Sequence, residues 1–152
     1  MAQPSFPRGT GTLAGLTSTS KQVFQNTHFT VLVEARLGIV LTLRNDKPFT
    51  SIDEVERVFA GLIDTLDRLG RERYVLLADI RAAPGRNDPE FEAAVQRLRP
   101  RWIGGFRKVG VLVKSAVGML QIQRYARQDG IERRVSNDEA ELLDYLTQES
   151  GP

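Results

Sequence analysis

The sequence predicts an α/β fold, with a mostly parallel sheet of about five strands, an antiparallel N-terminal edge hairpin and four helices. Three observations predict it. Short uninterrupted apolar runs, Tyr74 to Ala78 and Val109 to Val113, suit strands buried on both faces. Amphipathic segments at helical spacing lie between such runs. The resulting order, β-β-α-β-α-β-α-β-α, implies right-handed crossovers between parallel strands.

Residues 1 to 22 are rich in Gly, Ser, Thr and Pro, with few large apolar side chains. Such a segment buries too little surface to offset its ordering entropy, so a disordered tail is expected there. Residues 23–149 are expected to form a single domain, since 152 residues suffice for one real core. Phe29 to Glu34 and Ile39 to Leu43 are rich in β-branched residues and flank Gly38, which reads as a hairpin. Alternation places Phe29, Val31 and Val33 on one face and Thr30, Leu32 and Glu34 on the other.

Ser51-Ile-Asp-Glu54 is a capping box, followed at helical spacing by Val55, Phe59, Leu62, Leu66 and Leu69. Gly70 then offers a left-handed C-terminal residue. Gly61, inside that helix, suggests a close packing neighbour. The strand Tyr74 to Asp79 leads through Pro84-Gly85 to a helix with Asp88 as N-cap and Pro89 in its first turn. Phe91, Ala94, Val95 and Leu98 form its inner stripe, and Pro100 is expected to stop it. After the strand Lys108 to Val113, Ser115 caps a helix ended by Gly130. Ile131 to Val135 reads as a short strand. Ser136 to Glu139 reads as a second capping box, with Ala140, Leu142, Leu143 and Leu146 facing inward.

Composition excludes several classes of function. The chain has no cysteine, hence no disulfide, thiol catalysis or thiolate metal site. No apolar run approaches the ~18–20 residues of a bilayer span. The first residues lack the apolar core of a secretory signal, so a cytoplasmic location is expected. Net charge is +2, but Arg97 to Arg134 holds ten Lys/Arg against two acids. An anionic partner fits that imbalance, and so does a solvated helix face. Nucleic acid is not expected, because aromatic residues do not interleave the basic ones.

The candidate site is the rim where strands end and helices begin. Asp79 ends a buried strand and needs a cationic partner, which Arg81 or Arg86 can supply. Arg86, Asn87 and Asp88 present a guanidinium fork, an amide and a cap beside a helix N-terminus, a setting suited to anions. Parallel topology would bring Lys114 and Ser115 beside them. Trp102 and Phe106, around Gly104-Gly105, read as a core plug or as the lip of a pocket. His28, the lone histidine, has no triad-like or metal-ligand neighbours in the sequence, so no metal or cofactor is expected.

Taken together, the hairpin, V-L-L-A-D-I-R with its strand-end Asp79, V-G-V-L-V before Ser115, and the closing N-D-E-A-E-L-L-D-Y-L resemble the STAS and anti-sigma-factor-antagonist (SpoIIAA-like) superfamily, near its STAS/SEC14-like group. The resemblance covers roughly residues 28–148. It implies a non-enzymatic, bacterial-type signalling module that binds a protein partner through the loop after the third strand. The alternative it implies is a binder of small ligands or lipid head groups. Partner-switching members carry a phosphorylated Ser or Thr at that loop. Here it reads Arg86-Asn87-Asp88-Pro89, without a hydroxyl, so the resemblance does not extend to a phosphorylation switch.

Overall fold

The computed structural model describes residues 13–85 and 88–148. A six-stranded sheet runs in strict sequence order, β1 (Lys21–Gln25), β2 (Phe29–Glu34), β3 (Ile39–Arg44), β4 (Val75–Asp79), β5 (Val109–Leu112) and β6 (Arg134–Ser136). The first three strands form an antiparallel meander, and β3 to β6 are parallel. Among the described residues five α-helices accompany it: α1 (Leu13–Thr19), α2 (Ile52–Leu69), α3 (Pro89–Ile103), α4 (Ala116–Asp129) and α5 (Glu139–Thr147).

Both faces of the sheet are buried, and period-2 alternation assigns each side chain to one of two cores. Val31, Val40, Leu76, Ala78, Val109 and Val111 point toward α2, α3 and α4. Leu32, Ile39, Leu41, Val75, Leu77 and Leu112 point toward α1 and α5. The three crossovers β3-α2-β4, β4-α3-β5 and β5-α4-β6 thus lie on one face, as parallel strands added in one direction require.

Helix ends follow their caps. Ser51 Oγ accepts from the Glu54 N–H, while the Glu54 carboxylate reaches back to the Thr50 N–H. Gly70 and Gly130 close α2 and α4 at φ +83° and +73°. Gly61 fits its expected role, since a Cβ there would sit 3.3 Å from Phe24 on β1.

Four expectations need correction. Within the stretch expected to be a tail, residues 13–22 form α1 and the start of β1, and Leu13 and Leu16 are buried against the back of the sheet. Residues 1–12 lie outside the described residues. Pro100 does not stop α3, which runs on to Ile103. Burial of Trp102 and Ile103 outweighs the missing proline N–H, and the Arg71 guanidinium caps the end on the carbonyls of Arg101, Trp102 and Gly104. The N-cap of α5 is Asp138 rather than Ser136, which ends β6 and donates to the Glu141 carboxylate. Ala140 is exposed, leaving Leu142, Leu143 and Leu146 to make the inner face.

His28 is fully buried, its ring stacked at 4.3 Å on Phe49. Burial pulls its pKa below the ordinary 6.5, against the opposing pull of the Pro48 carbonyl. The unfolded chain therefore binds the proton first, and stability falls as pH drops below about 6.5 until the folded pKa is reached. Urea denaturation of His28→Phe, which keeps the ring stack, should lose this slope in the window above carboxylate titration. An unchanged slope would show that His28 is not its source.

Candidate functional site

The carboxyl ends of β3, β4 and β5 open into a cavity of about 450 Å³ lined also by α3, from Phe91 to Trp102, and by α4, from Val117 to Tyr125. Its depth is aromatic. Phe29, Phe59 and Trp102 meet edge-on at centroid distances of 5.2 to 5.8 Å, and the Trp102 Nε1–H donates to Thr42 Oγ1 at 3.1 Å. Val95 and Phe91 come from one stripe of α3, and Ile122 and Tyr125 from α4.

Besides Arg81, two further guanidiniums line this space, those of Arg44 and Arg99. Arg44, at the end of β3, stands directly across the hairpin from Phe29, with Cζ 5.9 Å from that ring and 4.8 Å from Phe49. Burial lowers its pKa to about 10, so it remains charged at neutral pH. Arg99 stacks on the Tyr125 ring at 3.8 Å, and burial again lowers its pKa, only partly opposed by Tyr125 and Asp129. Among the described residues, no carboxylate lies within 4.0 Å of either guanidinium. Glu92, an exposed acid at the mouth, accepts weakly from Tyr125 and Gln121.

The residues singled out from the sequence divide between this rim and the scaffold under it. Asp79 and Arg81 pair in bidentate fashion at 3.0 Å, and Arg81 reaches Glu139 at 2.8 Å. Glu139 in turn accepts from the Leu13 N–H at 2.6 Å. Arg81 thus ties β4 to α5 and α1, and although it borders the cavity its fork is committed to two carboxylates. Asp88 caps α3 through the Glu90 N–H, and Ser115 caps α4 through the Gly118 N–H. Lys114 and Ser115 line the same cavity as Ala83, Pro84 and Gly85, so the two loops do converge. Arg86 and Asn87 lie outside the described residues.

Trp102 and Phe106 do not share a lip. Trp102 borders the carboxyl-rim cavity, whereas Phe106 lies at the opposite end of the sheet with Lys108 and Tyr145, under Arg71. Helix α3 continues past Trp102 and separates the two aromatics. Arg44 and Arg99 were not foreseen as site residues. The available signal was position: Arg99 shares a helical face with Val95 and Trp102.

Among the described residues, no group of three or more His, Asp or Glu could hold a metal, and no helix is long and apolar enough to cross a membrane. No protein-family model, curated protein or solved structure matches the chain, so its own geometry carries the functional argument.

Proposed function

We propose that this chain is a small-ligand-binding domain without catalytic turnover, and that the carboxyl-rim cavity receives a ligand with an apolar body and an anionic group. One observation carries the reading: an aromatic-floored cavity of about 450 Å³ is lined by two half-buried guanidiniums, Arg44 and Arg99, that have no carboxylate within 4.0 Å among the described residues. Holding half-buried cations with no carboxylate in direct contact is unfavourable, and a bound anion would relieve it. The volume falls in the range of small-molecule sites. The STAS/SEC14-like resemblance supports the same mode, ligand binding without chemistry. A cytoplasmic setting goes with this reading.

A second reading, a protein-binding regulatory module, draws on the outer face of α4. There Val117 and Leu120 are 76% and 68% exposed beside the cavity mouth. Paired exposed aliphatics at helical spacing suit a partner's apolar contact.

Titration with anilinonaphthalene sulfonate tests the first reading, because Trp102 is the only tryptophan and lines the cavity. Its emission should be quenched saturably. Val95→Phe, which adds bulk to the cavity wall, should weaken the dye by roughly tenfold or more through steric exclusion with the circular dichroism unchanged. Equal affinity in parent and variant, or no effect on Trp102, would defeat the assignment.

A further inference from the structure

We propose that the ligand carries two anionic groups, one at each end of an apolar body, and that Arg44 and Arg99 each hold one of them. The chemical class is a long-chain or aromatic dicarboxylate. This rests on the ligand-binding reading above and adds the number and placement of the charges.

The two cations occupy separate regions of one cavity. Arg44 belongs to the β3 end, beside Phe29 and Phe49, with its Nη1 donating to the Asn45 carbonyl at 2.6 Å. Arg99 belongs to the cleft between α3 and α4, where it meets Tyr125, Asp129 and Arg133. Arg44 meets rings on β2 and in the loop before α2, whereas Arg99 meets a ring on α4. A single compact anion therefore does not serve both. Strand spacing sets the scale: β3 and β5 are two positions apart in the sheet, so the cavity spans roughly 10 Å across the strand ends. The shared lining includes the apolar Phe59, Phe91, Val95 and Trp102, together with Arg81, whose guanidinium is already held by Asp79 and Glu139.

Carboxylates suit these positions better than phosphates. A guanidinium fork takes a carboxylate bidentately, whereas phosphate sites add free helix-start amides. At the two helix starts that border the cavity, Pro89 has no N–H, the Glu90 N–H is taken by Asp88, and the Gly118 N–H is taken by Ser115 Oγ. Lys114 also lines the cavity but is exposed, so water already solvates its charge. Glu92 stands at the mouth and would repel an anion placed there, which leaves the two arginines as the anion positions.

The experiment compares decanedioate, decanoate and decanediol, monitored by Trp102 emission and checked by calorimetry. A second charge-assisted pair should make decanedioate bind the parent protein roughly tenfold or more tighter than decanoate. Arg44→Met and Arg99→Met should each abolish that preference, with decanediol losing far less affinity than decanedioate in both. Equal binding of decanedioate and decanoate by the parent protein overturns the two-charge proposal while leaving ligand binding intact, and it needs no variant to fold. A preference that survives both substitutions overturns the assignment to Arg44 and Arg99. Failure of all three compounds to bind overturns the ligand-binding reading itself.

Discussion

Asp129→Ala is expected to destabilise the protein by about 3–5 kcal/mol, the cost of leaving a buried cation without its partner. The Arg133 side chain is 1% exposed, and Asp129, itself 12% exposed, is its ion-pair partner across the end of α4. The same carboxylate accepts from the Ile131 N–H at 2.9 Å, fixing the turn from α4 into β6. Arg133 already buries one unbonded nitrogen, Nη1, and its Nε donates only to the Ile131 carbonyl. Removing Asp129 would strand the charge and loosen the turn together. Arg133→Met should cost far less, because the charge leaves with the side chain. Urea denaturation of both variants checks the contrast. A loss below about 1 kcal/mol for Asp129→Ala, the range of an exposed pair, would mean that Arg133 escapes to water.

Trp102→Ala should cost a similar amount, about 3–5 kcal/mol, for a different reason. The indole is 6% exposed and sits edge-on to both Phe29 and Phe59, joining β2, α2 and α3. Its removal merges a new void with the existing cavity, and solvent entry offsets little of the lost packing. It also deprives the fully buried Thr42 hydroxyl of its indole donor. Trp102→Phe keeps a six-membered ring but removes the indole N–H and part of the ring volume, with an expected loss of about 1–3 kcal/mol. Thermal unfolding followed by circular dichroism separates the two. Near-equal losses would show that the retained ring contributes little to holding the site's floor.

What the sequence discloses depends on the range of the forces involved. The hairpin, α2 and the strand-loop-helix at Asp79 to Asp88 were legible because alternation, caps and glycine stops are local. Helix α1 was not. Leu13 and Leu16 are a single i, i+3 pair in a polar stretch, and only the back of the sheet gives them a place to bury. Pro100 misled for the same reason: its local signal is a stop, and the burial of Trp102 and Ile103 decides otherwise.

The site was half legible. Convergence of the β4 and β5 loops follows from parallel topology, and Asp79 did need Arg81. That pair, however, is spent on holding α5 and α1 through Glu139. Arg44 and Arg99 were hidden among the 17 arginines of the chain, most simply read as solvated charge. Their burial depends on neighbours distant in sequence, Phe29 for one and Tyr125 for the other.

Amide chemical-shift mapping with decanoate tests the central claim most directly. The account predicts shifts clustered at the carboxyl rim, at Arg44, Arg81, Val113 and Gly118, together with the Trp102 indole N–H. Shifts gathered instead around Lys108, Ile131 and Tyr145 at the opposite end of the sheet, or confined to the outer face of α4, would contradict it.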